Sequence, residues 1–263
     1  MTPHELALTA RNDALYDHFK EVWVSNLEYN VQNTPDMQWI SQEYGKHEGS
    51  TAIIIGAGPS LPFPCGIFEN GIDVHRAGIH KDILTRAVED NPGAKIIACD
   101  RATFKLMFHS KPKVFCVVTS DAQPNVADFI YPLASDIVCP SLTTHPYAVN
   151  ALRGFCNSKR VLWQAPIGAY SGFWKVMRMM HKLPETNEEG GTVEFGMIDI
   201  AERMGFKKMV LIGMDFCYPS PFEAYKWYRK EDIEANGYKM DGERVTISAF
   251  VQSAAIIEDM RER

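Results

Sequence analysis

TAIIIGAGPSL, the stretch from Thr51 to Leu61, joins a short apolar run to a glycine-rich turn and decides how the rest of the chain is interpreted. Three further apolar runs end at an aspartate: IIACD at Asp100, VFCVVTSD at Asp121 and VLIGMD at Asp215. Short β-branched runs with almost no polar interruption are typical of strands that a parallel sheet buries on both faces. Ligands of open α/β sheets bind at the carboxyl ends of such strands. The three carboxylates and the glycine turn are therefore predicted to meet at one edge of a sheet.

Strand-like and helix-like segments alternate from Thr51 to Tyr218, which indicates βαβ units and a Rossmann-like, mainly parallel sheet with helices on both faces. The predicted strands lie near 51–55, 95–99, 113–118, 136–139, 160–163 and 208–212. The predicted helices lie near 80–90, 101–108, 123–131, 146–153, 170–181 and 192–204. The fold class is therefore α/β, with residues 48–218 as the main domain.

Two segments flank this domain. Residues 1–47 are predicted to form an N-terminal helical appendage, because apolar residues recur there at steps of three and four: Leu15, Phe19, Val22, Trp23 and Leu27. Residues 219–263 are predicted to form a C-terminal lid, a hairpin and a helix from about Ser248 to Met260 that pack on the same domain. The dipeptide Asp241-Gly242 is typical of a two-residue hairpin turn.

Composition narrows the classes of partner. With 263 residues the chain can bury a full core, and its net charge is −6 without any long block of Lys or Arg. Nucleic acid is therefore not expected as the main ligand. The chain contains no apolar run of the roughly 18 to 20 residues that a membrane helix needs, and its start lacks the pattern of a signal peptide. We expect no membrane association and a cytoplasmic location.

The six cysteines support the same location. They are scattered without a CxxC pair, at Cys65, Cys99, Cys116, Cys139, Cys156 and Cys217. Several lie inside strand-like apolar runs, where a free thiol behaves as a small buried hydrophobic group. This usage is typical of a reducing compartment and disfavours a zinc site.

Two glycine motifs are candidate phosphate sites. In GAGPSL, Gly56 and Gly58 permit a tight exit from the strand, Pro59 suits a first helical turn and Ser60 offers a hydroxyl group. The third glycine of a dinucleotide fingerprint is absent, so a plain strand-to-loop turn is the alternative. In the second motif, Gly190, Gly191 and Thr192 precede a predicted helix whose free N–H groups would attract an anion. Glu188 and Glu189 could instead complement the helix dipole there.

The aspartates after the strands suggest a metal. Carboxylates that lie close together repel one another or bind a cation, and Mg²⁺ is usually held by one or two carboxylates plus substrate phosphates. Asp121 and Asp215 are the candidate metal ligands and catalytic residues, whereas Asp100 could instead accept a ribose hydroxyl group. A single aspartate after a strand is also a common turn or cap residue.

Two further groups are candidates. His145 follows the fourth strand and could act as a general base, although a histidine before proline is often only a polar loop residue. In the C-terminal segment, Tyr225, Trp227 and Tyr228 alternate with basic residues and could form a lid that stacks on a planar ring. The alternative is an amphipathic segment whose rings pack on the core.

Five of these motifs in order, GAGPSL, ACD, VVTSD, GGTV and LIGMDFCY, resemble the MptE-like family between Thr51 and Tyr218. This family includes archaeal, ATP-dependent and Mg²⁺-requiring 6-hydroxymethyl-7,8-dihydropterin diphosphokinases. Its domain also forms the centre of bacterial motility-associated factors, which are similar to CMP-sialic-acid-type sialyltransferases. The N-terminal segment with WVSNLEYN is more similar to that second branch.

The resemblance implies a nucleotide-binding transferase. The first expectation is diphosphoryl transfer from ATP, with Mg²⁺, to a hydroxymethylpterin or a similar small hydroxyl acceptor. The second is glycosyl transfer from a CMP-sugar to a small-molecule or protein-glycan acceptor, and the third is a nucleotide-binding module without turnover. It implies that Gly56, Gly58, Pro59 and Ser60 shape the phosphate site opposite Gly190–Thr192. Association into a homo-oligomer remains open.

Overall fold

The structure is a computed structural model that describes residues 19–58, 61, 83–108, 113–158, 160–165 and 193–215, and the backbone of 237–240 and 244–247. Within this part of the chain a sheet of seven strands is the central element. Its strands are β1 (Gln38–Trp39), β2 (Thr51–Ile55), β3 (Lys95–Cys99), β4 (Val114–Thr119), β5 (Ser135–Pro140), β6 (Arg160–Trp163) and β7 (Lys208–Ile212). All neighbouring strands are parallel, in the order β1-β6-β5-β4-β3-β2-β7. The α/β fold class is confirmed.

The strands are buried as their composition predicts. Every residue of β4 is buried, as are four of the five residues in β2 and in β3. All six predicted strands are present, shifted by one residue at most. Strand β1 was not predicted, because two residues that pair with Leu162 and Trp163 of β6 are too short to give a periodic pattern. Cys99, Cys116, Cys139 and Cys156 are buried thiols that form no disulfide, in agreement with their apolar surroundings.

Five α-helices are described: α1 over 19–32, α2 over 83–89, α3 (Ala102–Phe108), α4 (Pro146–Phe155) and α5 (Val193–Arg203). From β2 to β6 each strand pairs with the next strand of the chain, so the strand order advances across the sheet in one direction. The chain then returns through α5 to β7 on the other side of β2. Because parallel crossovers are right-handed, this reversal places α5 on the opposite face of the sheet.

The segment predicted as a helix near 123–131 is instead a 3₁₀ helix, Pro124–Phe129. Val126 is its only buried residue, so it has no apolar stripe that could stabilise a longer α-helix. A second 3₁₀ helix, Ile40–Glu43, follows β1. The helices predicted near 170–181 and from Ser248 to Met260 lie outside the described residues.

The N-terminal helix α1 packs against the loops that follow β5 and β6. Leu27 is fully buried there with Leu142 and Trp163, and Trp23 packs partly against the same cluster. Val22 was predicted on this apolar face, but its side chain is 40% exposed, because it lies one position outside the stripe formed by Trp23 and Leu27. No helix in the described ranges has the length and apolarity needed to cross a membrane.

Strands β8 (Gly237–Met240) and β9 (Arg244–Ile247) pair antiparallel, as the hairpin prediction requires. Met240 pairs with Arg244, so three residues separate the strands instead of the predicted two. Those three, 241–243, lie outside the described residues, as does the predicted lid.

Candidate functional site

The strand order reverses between β2 and β7: the chain adds β3 to β6 on one side of β2 and then adds β7 on the other side. Ligands of open α/β folds bind beside the carboxyl ends of strands at such a switch point. The chain leaves β2 through Gly56 and Gly58 and leaves β7 through Gly213 and Asp215. Two of the predicted site motifs are therefore brought together at the switch point.

The two strand exits are packed backbone against backbone. The amide of Gly56 donates to the carbonyl of Ile212 at 2.8 Å, and that of Gly58 donates to the carbonyl of Gly213 at 2.7 Å. A Cβ atom on Gly58 would lie 2.6 Å from the Gly213 carbonyl oxygen and would overlap the carboxylate of Asp215. Gly213 itself has a φ of +71°, which favours glycine. Glycine is therefore required at positions 58 and 213, where the two exits approach closely. The amides of Gly56 and Gly58 donate to the end of β7 and the residue after it.

Because they already donate to these carbonyls, the amides of Gly56 and Gly58 are not directed at a phosphate site. A phosphate bound here would have to contact other groups of the turn or nearby side chains. Pro59 and Ser60 lie outside the described residues, as do Gly190, Gly191 and Thr192 of the second motif and Tyr225, Trp227 and Tyr228 of the predicted lid. The binding roles of all these residues remain predictions.

Lys105 is a residue of the site that the sequence analysis missed. It lies on α3, is only 8% exposed, and its Nζ donates to the carbonyl oxygens of Ala57 and Gly58, both at 2.8 Å. Burial lowers the pKa of its ammonium group to about 8, although the negative charge of Asp215 acts in the opposite direction. Lys105 thus places a buried cation directly behind the glycine turn, within electrostatic reach of Asp215.

Asp100 is a buried acid one strand away. Its Oδ1 accepts from the amide of Arg101 at 2.6 Å, and its Oδ2 accepts from the hydroxyl of Thr119. Burial raises the pKa of Asp100 to about 6, and the charge of Asp121 acts in the same direction, while the Thr119 hydroxyl and Arg101 lower it. Asp100 and Asp121 therefore lie close enough to interact, as predicted from their positions after neighbouring strands.

Asp121 lies at the exit of β4 and is partly exposed. Its Oδ1 accepts from the amide of Gln123 at 3.0 Å, which forms a local turn, and its Oδ2 lies 3.8 Å from a guanidinium nitrogen of Arg101. The Arg101 guanidinium also stacks over the ring of Phe129, at 4.6 Å from its centroid. The acid thus has both the turn-forming role that was the alternative prediction and a cation beside it.

His145 is the N-cap of α4. Its Nδ1 accepts from the amide of Tyr147 at 3.2 Å, so the neutral ring carries its proton on Nε2. Burial lowers the pKa of His145, which favours this neutral form. Its own amide donates to the carbonyl of Asp121 at 3.2 Å, so the exits of β4 and β5 are linked at the two candidate catalytic residues. To act as a base at Nδ1, His145 would have to release the cap.

The carboxylates of Asp121 and Asp215 have the chemistry that Mg²⁺ prefers, but they follow strands that are not neighbours in the sheet. Strands β4 and β7 are separated by β3 and β2. Three inter-strand spacings of about 4.8 Å place the strand ends about 14 Å apart. Two oxygen ligands of one Mg²⁺ are at most about 4 Å apart. Across the described residues no group of three or more His, Cys, Asp or Glu side chains is arranged to hold a metal. The strand order therefore favours an ion held by one carboxylate together with ligand phosphates.

The family described as "6-hydroxymethylpterin diphosphokinase MptE-like" matches residues 83–221, just over half of the chain. The chain belongs to the MptE-like family. The predicted resemblance is thereby confirmed, although the match starts after the glycine turn and leaves out α1. No curated protein matches the chain. The matched region of this MptE-like protein contains Arg101, Lys105, Asp121, His145 and Asp215.

The missed cation could have been suspected from one signal. Lys105 lies between Phe104 and Leu106 in the apolar sequence ATFKLMF, directly after the strand that ends at Asp100. A lysine in a short apolar helix is also typical of an ordinary exposed position. Its burial depends on the glycine turn nearly fifty residues earlier, which no local pattern shows.

Proposed function

We propose that this protein is a nucleotide-dependent transferase whose ligand binds at the carboxyl edge of the sheet, beside the exits of β2, β3, β4 and β7. The observation that carries the proposal is the pair of cations after β3. Lys105 lies behind the glycine turn at the switch point, and Arg101 lies beside Asp121. Two cations four residues apart at this edge suit the phosphates of a nucleotide.

For the reaction we favour diphosphoryl transfer from ATP to a hydroxymethylpterin or a similar small hydroxyl acceptor, as the description of the matching family suggests. The acceptor hydroxyl attacks the β-phosphorus, the bond from that phosphorus to the α,β-bridging oxygen breaks, and AMP leaves. Catalysis of this kind is mostly positioning and neutralisation of charge. Lys105 and Arg101 would supply positive charge from the protein. Asp121 would accept the hydroxyl proton, or His145 would do so once its Nδ1 has released the cap of α4. Mg²⁺, held by Asp215 or Asp121 with the phosphates, would neutralise further charge.

A CMP-sugar glycosyltransferase is the second candidate, and one observation favours it. Each predicted metal ligand already faces a protein cation: Asp121 faces Arg101, and Asp215 lies within electrostatic reach of Lys105. A ligand with a single phosphate then needs less additional positive charge than ATP does. In this reaction His145 or an aspartate would take the proton of the acceptor. A nucleotide-binding module without turnover is the third candidate. The four buried thiols of the described residues, which form no disulfide, support a reducing compartment such as the cytoplasm for any of these.

The test begins with nucleotide binding, measured as a shift of the melting temperature with ATP, AMP, CMP, CDP and CMP-sialic acid, each with Mg²⁺ and with EDTA. A bound nucleotide stabilises the folded state by mass action. The diphosphokinase proposal expects stabilisation by ATP that depends on Mg²⁺, and AMP release when ATP and hydroxymethyl-dihydropterin are mixed. Asp215→Asn should then weaken ATP binding about tenfold or more in Mg²⁺ and far less in EDTA.

Other outcomes separate the candidates. Stabilisation by CMP compounds regardless of Mg²⁺, with CMP release from CMP-sialic acid, would replace the diphosphokinase by the glycosyltransferase. Binding of ATP or of a CMP compound without formation of product would favour the nucleotide-binding module over both transferases. Equal weakening of ATP binding by Asp215→Asn in Mg²⁺ and in EDTA would reject a metal-binding role for this residue.

A further inference from the structure

Two asparagines of α1 are buried and directed at the site. Asn26 is 6% exposed and Asn30 is 3% exposed. They are four residues apart, so they lie on one face of the helix, on the side of the buried Leu27. A buried side-chain amide is costly unless its polar atoms are paired. Their contacts therefore show what this face of α1 is for.

Each amide bridges two backbone carbonyls. Asn26 Nδ2 donates to Ala122 at 3.0 Å and to Thr143 at 2.9 Å. Asn30 Nδ2 donates to the carbonyls of Leu142 and Thr144, both at 2.9 Å. An amide nitrogen carries two N–H donors, so both donors of each side chain are used. The four bonds join α1 to residues about one hundred positions later in the chain.

The carbonyls belong to the loops that carry two candidate catalytic residues. Ala122 directly follows Asp121, and Thr144 directly precedes His145. The Asn26 amide joins the two loops to each other, because its acceptors follow β4 and β5 respectively. Within these loops, the hydroxyl of Thr144 also donates to the carbonyl of Thr119 at 3.2 Å.

We propose that Asn26 and Asn30 are positioning residues, which hold the exits of β4 and β5 so that Asp121 and His145 face the ligand together. Helix α1 lies outside the region matched by the family. The positioning role would make α1 an added part of the site instead of an independent appendage. The catalytic meaning of the inference rests on the proposed function. The restraint on the two loops does not depend on it.

Asparagine suits this role better than other residues of similar size. Aspartate has the same shape but presents only acceptors to four carbonyl oxygens, and leucine has no donor. Asn33 provides a matched control at the end of the same helix, because it is exposed and its Nδ2 donates to the nearby carbonyl of Tyr29, at 2.8 Å.

The experiment compares Asn26→Asp, Asn30→Asp and the double variant with Asn33→Asp and the wild-type chain. Hydrogen exchange is measured by mass spectrometry without ligand over 119–124 and 141–147, with β2 and β3 as internal references. We expect exchange about tenfold faster or more in the two loops, unchanged exchange in β2 and β3, and no change with Asn33→Asp. If the double variant does not fold, Asn26→Ser is used, since its smaller side chain leaves room for water to bridge the carbonyls.

The second measurement is turnover, with AMP release from ATP and CMP release from CMP-sialic acid as the two assays. A positioning role predicts a loss of about tenfold or more in kcat with KM changed less than about threefold. Unchanged loop exchange, or equally faster exchange in β2 and β3, would overturn the inference, because the pair would then stabilise the fold in general. If the wild-type chain turns over neither substrate, the proposed function fails, and the exchange measurement alone decides whether the asparagines restrain the loops.

Discussion

Asp100 at the carboxyl edge of the sheet and Glu43 at the amino edge are both buried acids, but their surroundings differ. Glu43 pairs with Arg160 at 2.7 Å and with Lys46 at 3.2 Å. Burial opposes its charge, yet the hydrogen bonds and charges of Arg160 and Lys46 outweigh burial and lower the pKa of Glu43. Asp100 has a neutral hydroxyl and a backbone amide as partners, and burial raises its pKa to about 6.

The difference distinguishes a structural cluster from a candidate site. At the amino edge the charge of the acid is compensated by the protein, as expected for a cluster that holds β6 to the segment after β1. At the carboxyl edge the acid is less compensated, and Asp121 adds a second negative charge nearby. Strongly shifted pKa values are frequent where a ligand or substrate completes the arrangement.

The largest effect is expected from Gly58→Ala, which breaks the close packing of the carboxyl edge. The new Cβ would overlap the Asp215 carboxylate and lie 2.6 Å from the Gly213 carbonyl oxygen, so the two strand exits must separate. We expect the free energy of unfolding to fall by about 3 kcal/mol or more. Urea unfolding measures it.

Gly154→Ala is the matched control for this change. Gly154 lies in α4, and among the described residues no atom beyond its own helix backbone lies within 4 Å of its Cβ position, so alanine should stabilise the protein by up to about 1 kcal/mol. Similar small effects of both substitutions would show that the strand exits can accommodate a Cβ atom at residue 58.

Asp100→Asn should stabilise the protein at pH 7.5. The pKa of Asp100 in the folded state, about 6, lies above the ordinary value of 3.8. Its favourable contribution is therefore complete below pH 3.8 and is lost as pH rises through about 6. Removing the charge should raise the free energy of unfolding at pH 7.5 by about 2 to 3 kcal/mol. The gain should disappear near pH 4, and urea unfolding across this range measures it. Destabilisation at pH 7.5 would mean that Asp100 is needed as a charged partner.

Glu43→Gln should act in the opposite direction. The variant leaves Arg160 and Lys46 without their acid, and loss of a charge-assisted hydrogen bond of this kind costs about 2 kcal/mol. The cost stays below that of a fully buried pair, because the Arg160 side chain is 38% exposed and can be rehydrated. Since the pKa of Glu43 is lowered, its contribution is present above about pH 4.5 and is lost as pH falls further.

Asp136→Asn serves as the control for Glu43→Gln. Asp136 pairs at 3.2 Å with Lys113, which is largely exposed. Exposed ion pairs contribute little, so the change in unfolding free energy should stay within about 0.5 kcal/mol. If Glu43→Gln costs as little as this, the ion pairs of Glu43 do not stabilise the fold, and the amino edge is not a compensated cluster.

Much of the fold could be predicted from the sequence, because the strands of a buried parallel sheet are continuous apolar runs. The run VFCVVT, for example, is β4 and is buried along its whole length. Short or weakly apolar elements could not be predicted in this way. Strand β1 exists only through its pairing with β6, and Pro124–Phe129 is a 3₁₀ helix anchored by one buried residue.

The candidate site was less predictable, because its contacts join distant parts of the chain. The aspartates after the strands were visible as a pattern, but the approach of Gly58 to Gly213 and Asp215 is not local. The cation Lys105 and the amides of Asn26 and Asn30 were missed for the same reason. A lysine in a short helix and an asparagine in an amphipathic helix have ordinary exposed alternatives, and only the tertiary contacts select the buried ones.

The smallest effect is expected from His47, which gives the amino edge a pH dependence opposite to that of Asp100. Its ring stacks on Phe206 and contacts the edge of Phe115, both at 4.9 Å between centroids. Burial lowers the pKa of His47, and the charges of Lys95 and Lys46 act in the same direction, whereas Glu43 at 3.7 Å opposes them. The contribution of His47 to stability is therefore present above about pH 6.5 and is lost as pH falls through its lowered pKa. His47→Phe keeps a ring between the two phenylalanines and removes the titration. The wild-type chain should accordingly lose stability relative to this variant between pH 7 and pH 5, as measured by urea unfolding, while it gains stability relative to Asp100→Asn over the same range. A difference between wild type and His47→Phe that is constant with pH would show that Glu43 compensates His47 fully, and the two edges would then differ only in their acids.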